Sequence, residues 1–169
     1  MMNEKLFSAS DVFKEIRIEI ISSSKGIRYI LLNKSVDANK TSNITKLRTD
    51  DPYMFGIFNQ LKEYFDRKRK DFKLPLEIIG TEFQKKVWNE LLKINYGETI
   101  TYKELAIRLG DLKSIRAAAS ANGANPLPIV IPCHRVIGSN GELVGYGGGL
   151  DVKEKLLQLE GSRTLELFN

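Results

Sequence analysis

The chain of 169 residues contains one cysteine and one histidine, and this scarcity excludes several kinds of protein. A single cysteine cannot form an internal disulfide. Together, one cysteine and one histidine cannot supply the usual tetrahedral set of nitrogen and sulfur ligands for structural zinc, so we expect no metal site. The two residues are neighbours, Cys133 and His134, which raises the question of whether they form one site.

A long apolar run is also missing. Apolar stretches such as Ile-Val-Ile at 129–131 are far shorter than the roughly 20 residues that cross a bilayer. The first residues mix charged and apolar side chains and lack the apolar centre of a secretory signal. We therefore expect no membrane partner and a cytoplasmic location, or a nuclear one in a eukaryotic cell.

The charge of the chain is moderately basic and unevenly spread. The formal net charge is +5, and residues 1–79 carry 15 Lys and Arg against 11 Asp and Glu, whereas residues 80–169 carry 11 against 10. A basic excess permits a polyanionic partner such as nucleic acid but is weak support by itself. We interpret the run Arg-Lys-Arg-Lys at 67–70 as the solvated end of a helix, where cations suit the helix dipole.

The residue pattern of the first half predicts strands followed by a helix. Residues 15–21 alternate at period two and residues 26–33 form a second β-like run, which together predict a hairpin. Asp51 and Pro52 then predict the N-cap and first residue of a helix over 53–70. Apolar residues recur at helical spacing in this segment, at Phe55, Phe58, Leu61 and Phe65. Residues 71–80 are predicted to form a linker.

Two helix starts in the second half are marked by capping boxes, Thr81 with Gln84 and Thr101 with Glu104. The first helix is expected over 82–94, ended by Gly97, and the second over 102–109, ended by Gly110. The first is expected to bury Phe83, Val87, Trp88 and Leu91.

A helix rich in small residues follows at 114–123, which completes the outline of a helix-turn-helix. Two packed helices joined by a glycine are also common in proteins that never touch DNA. Residues 125–136 are predicted as a short apolar strand with three prolines, residues 139–150 as a loop, and residues 151–160 as a closing helix that ends at Gly161.

These elements predict an α/β (α+β) fold in two domains. Residues 1–77 form a small structural domain of antiparallel strands and a helix. Residues 78–169 are expected to form a mostly helical domain with a helix-turn-helix and a short strand or loop that carries Cys133.

The residues alone leave two interpretations of Cys133, a buried core residue or a nucleophile. A free cysteine is often plain core, but an adjoining imidazole can remove the thiol proton and leave the nucleophilic thiolate. Adjacent residues of a strand point to opposite faces, so His134 would have to act through a bend or a bridging water. The Gly-Tyr-Gly-Gly-Gly run at 145–149 lacks the rest of a phosphate-binding loop and is better read as a loop lying against a flat ligand. Taken singly, Tyr102 is a packed aromatic and Arg116 a solvated cation.

Three segments together strongly resemble the O6-alkylguanine-DNA alkyltransferase family. They are GTEFQKKVW at 80–88, ITYKEL at 100–105 and the run from 115 to 161. The last contains the family's signature Pro-Cys-His-Arg-Val intact at 132–136, preceded by Asn-Pro at 125–126. This combination is highly specific, whereas the first half resembles the family only in its length and in the order of strands and helix.

The resemblance implies a reaction in which Cys133 takes an alkyl group from O6-alkylguanine in double-stranded DNA, with O4-alkylthymine as a further candidate substrate. In the family a water links the cysteine to the histidine, which a glutamate orients; the matching residues are His134 and Glu160. Tyr102 matches the proton donor to guanine, and Asn125 holds the turn before the active site. A thioether is not cleaved by ordinary nucleophiles, so each molecule acts once, without a cofactor and as a monomer.

The resemblance also implies how DNA is bound. Arg116 matches the family's arginine that fills the stack after the damaged nucleotide flips out, and the recognition helix enters the minor groove. Small residues at Ala117, Ala118 and Ala121 would allow close approach, and further DNA contacts are implied for Lys103 and Ser139. Residues implied to line the guanine pocket are Pro128, Val136, Tyr146 and Gly147. Binding should be largely independent of sequence.

Two departures and two alternatives accompany this interpretation. Some members hold zinc in the first domain, which this chain cannot do with Cys and His ligands because it has no further cysteine or histidine. Some members have serine where Gly147 stands, so the pocket of this chain is expected to lose a hydrogen bond and to tolerate bulkier alkyl groups.

The main alternative function is that of a non-enzymatic, alkyltransferase-like protein that flags DNA damage, and the presence of Cys133 argues against it. A cysteine hydrolase or redox sensor is the other, and the absence of a resolving cysteine disfavours it.

Overall fold

The computed structural model describes residues 4–36 and 43–164 and divides into two compact units, residues 1–79 and 80–169. The boundary expected after residue 77 lies close to this division. The mixed α/β composition predicted from the sequence is confirmed, with strands concentrated in the first unit and helices in the second.

The first unit is built on a four-stranded sheet in the order β3-β2-β1-β4. The strands are β1 (Leu6–Phe13), β2 (Ile16–Ser23), β3 (Gly26–Leu32) and β4 (Ile44–Lys46). Strand β2 pairs antiparallel with both β1 and β3, whereas β4 runs parallel to β1. The predicted hairpin is therefore confirmed as β2 and β3, and β1 and β4 are additional to the prediction.

Helix α1 (Phe55–Phe65) begins later than predicted. The Asp51 carboxylate accepts a hydrogen bond from the Tyr53 N–H at 2.9 Å, and the Asp51 carbonyl accepts from the Phe55 N–H at 2.8 Å. Asp51 thus closes a turn ahead of the helix, and the predicted start at Asp51 and Pro52 is wrong. The local signal of Asp-Pro fits a turn as well as a cap.

Helix α1 also ends earlier than predicted, before Arg67, whose φ of 59° cannot continue a right-handed helix. The basic run at 67–70 therefore follows the helix. Phe58 and Leu61 are buried as expected, but Phe55 is 58% exposed, which corrects the predicted apolar face. At its C-terminal end the helix contacts the sheet through stacked rings of Phe65 and Phe13, with centroids 5.2 Å apart.

Residues 71–80 form no helix and only one isolated bridge, between Leu76 and Ile27, which agrees with the predicted linker. The Ile27 N–H donates to the Pro75 carbonyl at 2.8 Å. Gly26 precedes this contact with a φ of 149°, and a Cβ there would lie 2.5 Å from the Pro75 oxygen. Glycine is therefore required where the linker passes the end of β3.

The second unit is mainly helical. Its elements are α2 (Glu82–Leu91), β5 (Ile100–Thr101), α3 (Tyr102–Arg108), α4 (Ile115–Gly123), β6 (Val136–Ile137) and α5 (Leu150–Leu159). Both predicted capping boxes are present: the Thr81 hydroxyl accepts from the Gln84 N–H, and the Thr101 hydroxyl accepts from the Glu104 N–H. Each satisfies free N–H groups at a helix start.

Helix α2 buries Val87, Trp88 and Leu91, but it ends at Leu91 instead of extending toward Gly97. Phe83, which was expected in the core, is 38% exposed. The Trp88 indole N–H donates to the Ala121 carbonyl at 2.8 Å and so fastens α2 to α4. This bond satisfies the polar atom of a fully buried aromatic side chain.

The predicted helix-turn-helix outline is confirmed in α3 and α4. Helix α3 ends before Gly110, whose φ is 87°, and a short 3₁₀ turn at Leu112–Ser114 leads into α4. The Asp111 carboxylate accepts from the Lys113 N–H at 2.9 Å and fixes that turn. The recognition-helix position of the motif is thus occupied by α4.

The segment after α4 differs from the strand predicted at 125–136. Residues 133–135 form a 3₁₀ turn, and only Val136–Ile137 pair as a strand, parallel to β5. The prolines and the φ of 75° at Ile129 prevent an extended run. The predicted loop at 139–150 and the helix end at Gly161, with a φ of 78°, are both found. Among the described residues, no helix is long and apolar enough to cross a membrane.

Candidate active site

A tight turn carries the chain from α4 to Cys133, and Asn125 holds it. The Asn125 side-chain N–H donates to the Ile131 carbonyl at 2.8 Å, and its oxygen accepts from the Leu127 N–H at 2.9 Å. Between them Ile129, 1% exposed, has a φ of 75°, which is rare for a β-branched residue. Such strain persists only where surrounding packing enforces it, and it is common beside functional sites.

Cys133 opens the 3₁₀ turn and is 4% exposed. Burial raises the pKa of its thiol to about 11, and the lowering effects of the Asn125 side chain and the Lys153 charge are smaller. The resting side chain is therefore a neutral thiol at neutral pH. A thiolate forms here only if the proton has a nearby acceptor.

Two basic side chains next to Cys133 converge on one carboxylate, Glu160. The His134 Nε2 lies 2.8 Å from Glu160 Oε1, and both side chains are fully buried. Arg135 donates from Nε to Oε2 at 2.8 Å and from Nη2 to Oε1 at 2.9 Å. Its Nη1 donates to the Ile94 carbonyl at 2.6 Å. This fork geometry fixes the carboxylate at the C-terminal end of α5.

The protonation states of Glu160 and His134 follow from their burial and from the charges and hydrogen bonds around them. Burial alone would raise the pKa of the Glu160 carboxyl, but the hydrogen bonds and charges of His134 and Arg135 outweigh it and hold the pKa well below its usual range. Burial also lowers the pKa of His134 despite the neighbouring carboxylate. His134 is therefore neutral. Because an ionised Glu160 can only accept, Nε2 carries the proton and Nδ1 is left as a base.

A buried lysine also interacts electrostatically with Cys133. Lys153 of α5 donates to the Val136 carbonyl at 2.7 Å and to the Val144 carbonyl at 3.2 Å. Burial lowers its pKa to about 8, and the opposing influence of Cys133 is smaller. It is the cation whose charge favours a thiolate at Cys133. The Val136 carbonyl, which was expected to line the base pocket, thus accepts a hydrogen bond from Lys153.

Tyr102, the first residue of α3, faces the same cluster. Its hydroxyl donates to the Val144 carbonyl at 3.0 Å. Burial raises its pKa, as does the nearby Cys133, while a hydrogen bond from the Asn122 side chain opposes these effects. Tyr102 therefore keeps its proton in the resting protein and remains a potential donor.

Three buried polar atoms of this cluster have no hydrogen-bond partner in the described part of the second unit: His134 Nδ1, Asn122 Oδ1 and Tyr146 Oη. Burying such a group without a partner costs about 1–3 kcal/mol. All three belong to residues that interact with Cys133 or adjoin it. The cluster is thus arranged for polar groups of a ligand or for water.

The remaining predicted pocket residues lie on the segments that flank this cluster. Pro128 is half-buried, Val136 is buried, and the hydroxyl of Tyr146 is buried while its residue as a whole is half-buried. Gly147 is exposed, and a Cβ built on it would meet no atom within 4 Å. No group of three or more His, Cys, Asp or Glu able to hold a metal ion occurs among the residues that the structure describes.

Both units match models of one protein family. Residues 17–78 match the description "6-O-methylguanine DNA methyltransferase, ribonuclease-like domain", and residues 82–162 match "6-O-methylguanine DNA methyltransferase, DNA binding domain". A methylated-DNA–protein-cysteine methyltransferase of Methanosarcina mazei is 44% identical over 143 residues, which are 85% of this chain and 89% of that protein. The chain belongs to the 6-O-methylguanine DNA methyltransferase family.

Two further similarities extend along most of the chain. The inducible methylated-DNA–protein-cysteine methyltransferase of Bacillus subtilis is 38% identical over 162 residues, 92% of this chain and 90% of that protein. A crystal structure of Mycobacterium tuberculosis OGT in complex with DNA superposes with a TM-score of 0.82 at 35% identity, covering 92% of this chain and 93% of that one. The expected family, fold class and methyltransferase activity in DNA repair are confirmed.

In this methyltransferase the residues implied to touch DNA divide into two groups. Arg116, Lys103, Ser139 and Ala117 are exposed, as DNA contact requires. Ala118 and Ala121 are 0% and 4% exposed, and the Ala121 carbonyl accepts the Trp88 indole. Ala118 and Ala121 thus face the interior of the unit, and close approach of α4 to DNA through its small residues stays a prediction. Their small size serves the packing of α4 on α2.

Three polar residues of the methyltransferase site were missed in the sequence: Asn122, Arg135 and Lys153. Two of them had a readable signal. Asn122 shares a helix face with Ala118 and Ala121, and Lys153 shares one with Leu156 and Leu157. A polar residue at a position whose helical neighbours are all apolar is a candidate for a buried site.

Proposed function

We propose that this protein repairs DNA by transferring an alkyl group from O6 of guanine in a duplex to the sulfur of Cys133, once per molecule and as a monomer. The observation that carries the proposal is the buried Cys133 beside His134, whose Nε2 lies 2.8 Å from the Glu160 carboxylate while Nδ1 has no hydrogen-bond partner among the residues that the structure describes. A base oriented by a carboxylate next to a nucleophile is the arrangement used for nucleophilic catalysis.

The proton of Cys133 passes through a bridging water to His134 Nδ1. This transfer produces a thiolate and an imidazolium, which the ionised Glu160 stabilises. The Lys153 ammonium offsets the thiolate charge. Because both the thiol and the imidazole are neutral at rest, the reactive ion pair forms only when the substrate is in place.

The thiolate attacks the saturated carbon bonded to O6. The S–C bond forms as the C–O6 bond breaks, and the electron pair of that bond stays with guanine. Tyr102 gives guanine a proton, for which its hydroxyl must exchange the Val144 carbonyl for the base. Proton return from His134 to the tyrosine restores the neutral side chains and leaves a thioether on Cys133. No cofactor enters this sequence of steps.

A buried sulfur cannot reach O6 in a stacked duplex, so the nucleotide must leave the helix. Four exposed cations of the helix-turn-helix support phosphate contacts at this unit: Lys103, Arg108, Lys113 and Arg116. We assign Arg116 to the space left in the stack. The sites of action are the cytoplasm or, in a eukaryotic cell, the nucleus, where the DNA lies.

The decisive test is the stoichiometry of transfer. Incubation with excess duplex that contains O6-methylguanine should add one methyl group per molecule, measured by intact mass, and the addition should be lost in Cys133→Ser. Removal of a sulfur nucleophile accounts for this loss, since the alcohol ionises far less readily. Repeated turnover, or transfer that persists in Cys133→Ser, would contradict the proposal; binding without transfer would favour the damage-flagging alternative.

A further inference from the structure

A cleft of about 380 Å³ lies in the first unit, between the start of α1, the turn that joins β2 to β3, and the linker. Its volume falls in the range of about 300–1,000 Å³ that is typical of small-ligand sites. Two lysines, Lys25 and Lys73, line the cleft, and no aspartate or glutamate does. Apolar side chains such as Ile27 and Ile57 form other parts of its wall. The proposed alkyl transfer uses none of these residues.

Hydrogen bonds hold the three walls of the cleft together. The Gln60 Nε2 of α1 donates to the Lys73 carbonyl at 3.0 Å, and the Lys73 N–H donates back to Gln60 Oε1 at 2.9 Å. The Tyr53 hydroxyl donates to the Ser23 carbonyl in the turn. The linker is also bonded to β3 through the Ile27 N–H. The cleft is therefore preformed, as small-ligand sites usually are.

Ser22 lines the cleft with a hydroxyl that has no partner. It continues the row of Ile16, Ile18 and Ile20 on one face of β2, and all three isoleucines are completely buried. Ser22 is itself 1% exposed, and its Oγ has no hydrogen-bond partner among the described residues. An unpaired buried hydroxyl destabilises the fold. A ligand group that bonds Ser22 Oγ explains why serine stands at the end of an apolar row.

Gly56 keeps another wall of the cleft free of a side chain. It lies in the first turn of α1, and glycine in a helix is less stable than alanine. Its φ is not positive, and a Cβ built on it would meet no atom within 4 Å. Neither backbone conformation nor packing therefore requires glycine here. The space that Gly56 leaves open belongs to the cleft.

The charge of the lining favours an anionic ligand. Lys73 is exposed, and the Lys25 side chain is 72% exposed. The Lys25 Nζ lies 3.9 Å from Glu77 Oε1, which is a long and weak ion pair. Both ammonium groups are thus available to a phosphate, whose charge they would balance.

The other lining groups favour a flat body with a polar edge. Ile27 and Ile57 are apolar, and Tyr53, 41% exposed, carries an aromatic ring against which a planar group can pack. The Ser22 hydroxyl can donate or accept a hydrogen bond at the edge of such a group. A nucleoside monophosphate combines the planar body, the polar edge and the anionic group.

We infer that this cleft of the first unit is a binding site for a nucleoside monophosphate. The phosphate lies between Lys25 and Lys73, the base packs against the apolar wall and Tyr53, and the edge of the base bonds Ser22 Oγ. The site is separate from the group around Cys133 and needs no damaged DNA.

The test is a titration of the ¹⁵N-labelled full-length protein with AMP, followed by NMR. AMP should cause saturable shifts of the amide signals of Gly26, Gly56 and Ile57. Adenosine and inorganic phosphate each lack one part of the ligand, so each should bind at least about 10-fold more weakly. Shifts confined to the amides around Cys133 would instead place AMP at the alkyl-transfer site and overturn the inference.

Gly56→Leu separates loss of the site from loss of the fold. The leucine side chain fills the cleft, so the affinity for AMP should fall by roughly 10-fold or more. The midpoint of thermal unfolding should stay constant or rise, because leucine is the stronger helix former. Asn59→Leu places the same side chain on an exposed part of α1 outside the cleft and should keep the wild-type affinity.

Lys73→Gln tests the phosphate contact. It should weaken the binding of AMP by about 3- to 10-fold and leave the binding of adenosine unchanged, because adenosine has no phosphate. Lys68→Gln, which removes an exposed cation just after α1, is the matched control and should change neither affinity.

Each contrary outcome overturns the inference in a recognisable way. Cleft amides that do not shift at about 10 mM AMP, or binding of AMP that survives in Gly56→Leu, would show that the cleft is not the site. Inorganic phosphate that binds as tightly as AMP would mean an adventitious ion only. Adenosine that binds as tightly as AMP would remove the role of the two lysines. None of these results affects alkyl transfer to Cys133, which is measured by intact mass.

Discussion

At the scale of single residues, Cys133, the proposed nucleophile, is buried and protonated, in contrast to the exposed low-pKa thiols of many cysteine enzymes. Burial raises the pKa of Cys133 to about 11, and the same burial lowers the pKa of His134. Both shifts favour neutral partners. In the proposed mechanism the thiol and the base are therefore neutral at rest and separate charge only during the reaction, which protects the sulfur from adventitious electrophiles.

This arrangement predicts how Cys133 reacts with a small electrophile in the absence of DNA. Only the thiolate reacts, so the rate with iodoacetamide should rise about tenfold per pH unit and show no plateau below about pH 10. Intact mass after timed quenching measures it, and because the chain has one cysteine the added mass identifies the site.

The urea-unfolded protein is the control for this measurement, and its rate should level off near pH 9, as for an ordinary thiol. A plateau near pH 7 in the folded protein would mean that Cys133 rests as a thiolate paired with a protonated His134. That result would contradict the neutral resting state.

At the scale of elements, local signals decided what could be predicted. The starts of α2 and α3 follow from capping boxes because each box is complete within four residues. Strand β1 lacks period-two alternation and turns into β2 through Lys14 and Glu15, both with positive φ but without the Asn-Gly chemistry typical of such turns. The pairing of β1 with β2 is a local hairpin, which neither the composition of its turn nor the pattern of β1 indicates.

The candidate active site also combines residues that the sequence indicates with a local backbone fold that it does not indicate. The resemblance predicted Cys133, His134 and Glu160 as site residues, and the structure brings His134 and Glu160 into contact although they lie 26 residues apart in the sequence. The prediction of a strand at Cys133 was wrong because Ile131 and its neighbours are buried in a turn that is held by Asn125. Burial makes such a segment apolar whether it is extended or folded back, so hydrophobicity alone cannot distinguish the two.

Helix α4 carries the clearest prediction at this scale. Arg116 is exposed on its first turn, so Arg116→Ala should leave the buried site intact and remove only the group assigned to the vacated base stack. We expect repair of a duplex to slow by roughly 10-fold or more, given an unstacking cost of a few kcal/mol, and transfer from a free O6-alkylated guanine base to change by less than about twofold.

Paired single-turnover rates on the two substrates measure this effect. Lys85→Ala, a partly exposed cation on α2, serves as the control for loss of one positive charge. Equal slowing of both substrates by Arg116→Ala would remove the role in base flipping.

At the scale of the whole molecule, charge is placed where the proposed function needs it. The second half of the chain is nearly neutral, with 11 Lys and Arg against 10 Asp and Glu. Yet residues 102–123 expose four cations and contain only two acidic residues, Glu104 and Asp111. This local excess of positive charge in a nearly neutral unit favours phosphate contacts at the helix-turn-helix.

The chain must also accommodate the product of its own reaction. Cys133 is 4% exposed, and its neighbours Ile131 and Val136 are completely buried, so a methyl group on sulfur enlarges a side chain in a close-packed region. Overpacking of this kind costs about 1–3 kcal/mol. We therefore expect the methylated protein, freed from DNA, to unfold about 2–10 °C below the unreacted protein in calorimetry. Larger alkyl groups should lower the midpoint further.

Protein incubated with undamaged DNA of the same sequence is the control, and Cys133→Ser treated with the damaged duplex should show no shift. A midpoint that stays constant or rises on methylation would show that the site already has room for the product.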